Sequence, residues 1–181
     1  MIKTYNILSL LLDYPSIELW ESRSEIMPVL RDEKILSVKS LAEVETFLNY
    51  VSSFPDVRSW QAAYSDVFDT SSKTTLYLFD MVYGTSRDRG QAMVDLKEEY
   101  LKAGLMPAED ELPDYLPMYL QYVANMDSVE QARSAMADIR GVITKMDERF
   151  AKEQHPYEPL IAILKEGLFH LSRHRRQYVT M

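Results

Sequence analysis

The chain has 181 residues, 46% hydrophobic and 27% charged, enough for one domain with a real core. It contains no cysteine, which excludes disulfides, thiolate metal sites, iron–sulfur ligation and a cysteine nucleophile. The formal net charge of -8 argues against nucleic acid, whose phosphates require a basic surface, and favours a basic or neutral partner. That charge is uneven. From Lys165 onward four cations (Lys165, Arg173, Arg175, Arg176) face Glu166 alone, so the preceding body carries -11. The basic end reads as a solvated helix terminus favoured by the helix dipole; contact with a phosphate or an acidic membrane is the sharper alternative.

In chain order, MIKTYNILSLLLDYP has an apolar run too short to span a bilayer and an acid at Asp13. It reads as the first core helix and not as a signal peptide. No other stretch is long and apolar enough for a membrane span, so a cytoplasmic protein is expected, not an integral membrane one. Leu41, Val44, Leu48 and Val51 recur at helical spacing, with Ser40 and Glu43 as a capping-box pair ahead of them. Trp60, Tyr64, Val67 and Phe68 share a second helical face, and Asp69 stands near its end. The run Thr74–Tyr83 (TTLYLFDMVY) is β-branched and aromatic enough for a buried strand. Helix is the better reading, because a lone strand leaves unpaired edges.

Ser86 is positioned to cap the next helix, with Asp88 in its first turn. Arg87 and Arg89 read either as structural ion pairs with Asp80 and Asp88 or as guanidinium groups for a carboxylate or phosphate-bearing cofactor. Gly104 is placed as a left-handed helix terminator. Glu109–Asp114 is an acidic loop leading into a helix with Pro117 in its first turn. Leu116, Tyr119, Leu120 and Val123 form the core face of that helix, and Tyr115, Met118 and Tyr122 a neighbouring strip. A Met and aromatic strip beside acids reads either as core packing with a solvated acidic loop or as a groove for a basic amphipathic helix. Ser128 and Gln131 make a capping pair ahead of Val129, Ala132, Met136, Ile139, Ile143 and Met146. A last helix starting near Pro156 or Pro159 buries Leu160, Ile163, Leu164, Leu168 and Leu171. The expected architecture is all-α: a single compact bundle of about eight or nine helices over residues 1–181.

Enzyme constellations are missing. His170 and His174 have the spacing of a metal pair, but no partner helix supplies further ligands, and a solvated helix end is the better reading. Neither a phosphate-binding glycine loop nor a nucleophile elbow occurs. No enzymatic activity and no bound metal are expected.

The chain closely resembles the NarJ-type chaperones, the delta-subunit assembly factors of respiratory nitrate reductase. The resemblance is carried by Tyr14-Pro15, by Tyr64-x-x-x-Phe68-Asp69, and by Thr75-Leu76 leading to Leu78-Phe79. Its most specific parts are Gly84-x-Ser86-Arg87-Asp88-Arg89-Gly90-Gln91-Ala92-Met93-Val94-Asp95-Leu96 and Glu111-Leu112-Pro113-Asp114-Tyr115-Leu116-Pro117-x-Tyr119-Leu120. The chain departs from the family at Tyr115, where a His is common, at Asp80–Tyr83, and at Thr70-Ser71-Ser72.

The resemblance implies an all-helical redox-enzyme maturation protein of the TorD/DmsD/NarJ superfamily. Such a protein binds the N-terminal peptide of the catalytic alpha subunit of a membrane-bound nitrate reductase in the cytoplasm. It assists insertion of bis-molybdopterin guanine dinucleotide and iron–sulfur clusters, with cofactor biosynthesis proteins as further partners, and delays membrane attachment. No cofactor is bound permanently. On this view the peptide lies in a groove lined by Tyr64, Phe68, Phe79, Tyr83, Tyr115 and Tyr119. Asp69, Asp80 and Asp114 pair with its basic residues. Alternatives are a client among selenate, chlorate or dimethyl sulfide enzymes, or direct carriage of the pterin dinucleotide by Arg87 and Arg89.

Overall fold

The computed structural model describes residues 1–70 and 73–174, with the side chains of the last helix described through Glu166. It is all-α. Among the described residues ten helices follow one another: α1 (Lys3–Leu12), α2 (Ile17–Ser22), α3 (Ile26–Glu33), α4 (Val38–Ser52), α5 (Val57–Asp69), α6 (Asp88–Lys102), α7 (Leu116–Ala124), α8 (Val129–Asp138), α9 (Arg140–Lys152) and α10 (Glu158–His174). Single 3-10 turns occupy Arg23–Glu25 and Leu78–Met81. The basic end at Arg173, Arg175 and Arg176, the His170–His174 pair, the Leu168 and Leu171 positions and the Ser71-Ser72 pair lie outside the described residues or side chains.

The packing follows the apolar stripes. α1 lies along α7, and α10 is covered by α4, α8 and α9. Leu8, Leu11, Leu12, Val44, Phe47, Leu116, Leu120, Met146, Leu160 and Ile161 are all at most 1% exposed, forming one continuous core. The Glu33 carboxylate accepts from the Lys3 and Thr4 backbone N–H groups at 2.7 and 2.6 Å. It thereby satisfies two of the donors that the first turn of α1 leaves unpaired. The C-terminus of α6 ends as expected. Gly104 sits at φ +77, its N–H donates to Leu101 O, and Leu105 N–H donates to Tyr100 O, closing a Schellman motif.

Four local expectations need correction. α4 begins earlier than the Ser40–Glu43 pair suggests: Ser37 is the cap and accepts from Ser40 N–H, while Ser40 itself is buried. The stripe from Val129 to Met146 is two helices, broken at Ile139, which ends α8 and begins α9. Ser86 accepts from Asp88 N–H at 3.3 Å but stands one residue before the helix cap, Arg87. The fourth correction concerns Thr74–Tyr83, which is not a helix. Tyr77 forms an isolated antiparallel bridge with Tyr115, followed by the 3-10 turn. The objection to a lone strand is met because Pro113–Leu116 supplies the partner backbone. Leu78 N–H donates to Asp114 O, and Leu116 N–H donates to Leu76 O, each at 2.9 Å.

An aromatic cluster joins α4, α5 and the start of α10. Tyr157 is fully buried, with its ring centroid 4.9 Å from Phe47, 5.5 Å from Tyr64 and 5.1 Å from Phe68. Its hydroxyl accepts from Trp60 Nε1 at 2.9 Å. His155 stacks on Phe68 and Phe150 and is only 7% exposed. Its Nδ1 accepts from Tyr157 N–H, so Nε2 carries the hydrogen and faces Val67 O. Burial pulls the imidazole pKa down to about 4. The unfolded chain then takes up this proton near its ordinary 6.5, before the folded chain does. Stability is therefore complete above pH 6.5 and lost as pH falls towards 4, by roughly 2 kcal/mol after discounting for solvent near the ring. Urea midpoints measured from pH 7 to 4 should show this loss. His155→Asn should flatten it, because its side-chain oxygen can take the Tyr157 N–H without titrating.

Candidate functional site

A cleft of about 300 Å³ opens between the end of α5, the Thr74–Asp80 segment and the residue preceding α7. α5 is capped by Asp56, whose carboxylate accepts from Ser59 N–H at 2.8 Å. Tyr64 and Phe68 therefore emerge one turn apart with ring centroids at 4.5 Å, making one wall. The bridge supplies the adjoining part of the lining, placing Tyr77 and Tyr115 with centroids 5.2 Å apart. Leu76 and Thr74, only 3% and 2% exposed, line the cleft. Thr75, Asp69 and Asp80 also line it, and among the described residues the lining contains no Lys or Arg.

Carboxylates also lie behind the walls. Tyr115 Oη donates to Asp13 Oδ1 at 2.9 Å, and Tyr77 Oη donates to Glu111 Oε1 at 2.8 Å. With the Tyr115 proton committed to Asp13, the Tyr64 hydroxyl shares its own proton between Leu12 O at 2.9 Å and the Tyr115 oxygen at 3.2 Å. Burial, with the nearby carboxylates adding to it, raises the pKa of all three phenols, so they remain protonated throughout the physiological range. The cleft thus joins aromatic rings to carboxylates in and behind its lining.

Five of the expected site residues meet in this cleft: Tyr64, Phe68, Asp69, Asp80 and Tyr115. The others do not line it. Tyr119 is in the core, 6% exposed, and donates to Ala135 O at 2.7 Å. Asp114 has no exposure; its Oδ2 accepts from Phe79 N–H at 2.9 Å, so it pins the 3-10 turn from beneath and cannot reach a bound peptide. Phe79 and Tyr83 stack edge-to-face on each other with centroids at 5.2 Å, outside the lining. Arg89 is held by Asp80 at 2.7 Å, which favours the structural reading of that arginine. Arg87 is exposed, with no hydrogen bond or ion pair among the described residues.

Sequence reading missed Thr74, Thr75 and Tyr77 as lining residues, and Asp13 as the acceptor behind Tyr115. The β-branched, alternating character of Thr74–Leu78 was the available signal, and a helical assignment of the run hides it. Among the described residues no cluster of three His, Asp or Glu could hold a metal, and no helix is long and apolar enough to cross a membrane.

Fold and cleft together define a helical protein with an aromatic, acid-rimmed cleft. The family model described as "Nitrate reductase delta subunit" matches residues 38–162. The chain is 37% identical over 158 residues to the nitrate reductase molybdenum cofactor assembly chaperone NarJ of Escherichia coli (strain K12), a match covering 87% of this chain and 66% of that protein. It is 31% identical over 168 residues to the probable chaperone of the same name from Bacillus subtilis (strain 168), covering 91% and 88% of the two chains. To the probable assembly chaperone NarW of Escherichia coli (strain K12) it is 33% identical over 158 residues, covering 87% and 64%. The chain belongs to the nitrate reductase delta subunit family. The matched region spans just under two thirds of the length of the Escherichia coli relatives.

Proposed function

We propose that this protein is a dedicated assembly chaperone. It binds the N-terminal peptide of the apo catalytic subunit of a respiratory nitrate reductase in the cytoplasm. It holds that subunit competent for molybdenum cofactor and iron–sulfur insertion and delays its attachment to the membrane. The carrying observation is the cleft, with four aromatic side chains, two rim carboxylates and, among the described residues, no cation in the lining, in a chain whose relatives are named as nitrate reductase molybdenum cofactor assembly chaperones. Apolar anchors supply burial at about 1.5–3 kcal/mol each, less the cost of ordering the peptide. Asp69 on the rim, with Asp80 already held by Arg89, favours a basic segment and speeds its encounter.

Arg87 is the side chain left free for a transient contact with the diphosphate of bis-molybdopterin guanine dinucleotide, since Arg89 is committed to Asp80. Co-expression with the catalytic subunit tests the proposal. The chaperone should co-purify with the intact subunit and be lost when the subunit's N-terminal peptide is deleted. Retention after that deletion contradicts the peptide assignment. Affinity for the isolated peptide should fall as salt is raised from 0.1 to 1 M, where the screening length shrinks from about 10 to about 3 Å.

A further inference from the structure

We propose that the junction of α1 and α2 carries a second contact for the client's N-terminal peptide: an apolar ledge made by Tyr14 and Ile17 and edged by acids, which takes a basic amphipathic segment beside the cleft. This deepens the peptide-binding reading and rests on it for the identity of the occupant. Size is the first observation. The cleft, at about 300 Å³, is at the lower end of ligand pockets, so a peptide of several residues must cover further apolar surface next to it.

Continuity is the second. Tyr64, a lining residue, is only 7% exposed, and Tyr14 stacks edge-to-face on it with ring centroids 5.7 Å apart. Tyr14 is thus the outer ring on that side of the cleft, and it is 52% exposed. Ile17, three residues on at the start of α2, is 55% exposed. Single apolar side chains at a surface are ordinary, whereas two large ones within one turn of chain, joined by a ring contact to a cleft, form a contact surface. Order is the third observation. Tyr14 N–H donates to Asp13 Oδ1 at 2.8 Å, and the same oxygen receives the Tyr115 hydroxyl at 2.9 Å. Gln61 Nε2, on α5 one turn before Tyr64, donates to Pro15 O at 2.8 Å, and Ser16 caps α2 by accepting from Leu19 N–H at 3.1 Å. The junction is therefore tied to α5 and to the residue preceding α7. A surface held in place before binding spares a partner the entropy of ordering it, and tyrosine adds a large contact area with few rotors.

Charge is the fourth, and it gives the occupant its chemistry. Residues 13–22 hold three acids, Asp13, Glu18 and Glu21, and no Lys or Arg. Glu21 lies one turn beyond Ile17 on α2 and both are exposed, so an apolar and an acidic side chain share that face. A segment with an apolar side and interspersed cations suits this surface. Its apolar side covers Tyr14 and Ile17, and its cations lie against Glu18 and Glu21. An acidic segment brings like charges together there, and a wholly polar one leaves the apolar pair uncovered.

The test is calorimetry of the full chain with a synthetic N-terminal peptide of the catalytic subunit. Tyr14→Ala and Ile17→Ser should each weaken binding about tenfold and make its heat-capacity change less negative, as lost apolar burial requires. Tyr14→Phe should bind like the parent, because the ring and not the hydroxyl makes the contact. Glu18→Gln combined with Glu21→Gln should weaken binding about fivefold at 0.1 M salt and leave it unchanged at 1 M, where the charges are screened. Val38→Ser, on α4 and 86% exposed, should change nothing. The Tm of Ile17→Ser should stay within about 2 °C of the parent, as for other surface changes, so lost affinity there is not lost structure. Parental affinity in both Tyr14→Ala and Ile17→Ser overturns the ledge while leaving peptide binding intact. An equal loss in Val38→Ser overturns it too, as does a fall in Tm above about 5 °C in Ile17→Ser, which would put that side chain in the packing of the fold. If the parent chain binds no peptide, the peptide-binding reading itself fails and the ledge falls with it.

Discussion

Asp114→Ala should unfold the binding region, costing about 2–3 kcal/mol in urea denaturation, while Asp114→Asn should stay within about 1 kcal/mol of the parent. The contrast follows from what the carboxylate does. It is fully buried, and its Oδ2 receives the Phe79 N–H at 2.9 Å at the start of the 3-10 turn. Alanine leaves that N–H buried and orphaned, beside the Leu78–Asp114 and Leu116–Leu76 backbone bonds that hold the Tyr77–Tyr115 wall. Asparagine keeps an acceptor in the same place. It also removes a charge that the fold resists, since burial, the largest cause, raises the Asp114 pKa above the usual carboxylate range. A raised folded-state pKa makes the ionised form the less favourable one, so the advantage of asparagine should grow as pH rises. Peptide affinity measured by calorimetry should be unchanged in Asp114→Asn. A large loss of affinity with the fold intact would restore Asp114 as a direct partner of the client.

Tyr157→Ala is expected to be the more damaging change, about 3–5 kcal/mol by equilibrium unfolding, a large part of the stability of a typical domain. The residue is fully buried where α4, α5 and α10 meet, and its ring touches Phe47, Tyr50, Tyr64, Phe68 and His155. Tyr64 and Phe68 form a wall of the cleft because Tyr157 supports them from behind, so peptide binding should be lost together with stability. Tyr157→Phe preserves the packing and removes only the acceptor for Trp60 Nε1. It should cost about 1–3 kcal/mol, the penalty of an unsatisfied buried indole N–H, and leave peptide affinity nearly intact. A cost under about 1 kcal/mol for the alanine variant would show that Tyr157 is not the support of that wall.

These two changes act on the same cleft through different elements. Asp114 fixes the backbone that presents Tyr77, and Tyr157 fixes the helix that presents Tyr64 and Phe68. Neither lines the cleft. The proposed chaperone therefore depends on side chains that the client never meets, and the rim charge at Asp69 can change without disturbing them.

The helical periodicity of Leu41–Val51 and Leu116–Val123 was legible because a 3.6-residue repeat places those side chains on one face whatever the face packs against. The absence of cysteine and the acidic body were equally plain, and the motifs from Tyr64 to Asp69, Gly84 to Leu96 and Glu111 to Leu120 carried the family. What local pattern could not give was the partner of each side chain. The chain around Tyr77 is extended because Pro113–Leu116, remote in sequence, offers it a backbone edge. Asp69 and Asp114 look alike as acids near aromatic residues. Only tertiary packing makes one a solvated rim charge and the other a buried backbone acceptor, because a carboxylate's role is set by its solvation and hydrogen bonds, and those come from elements far away in the chain.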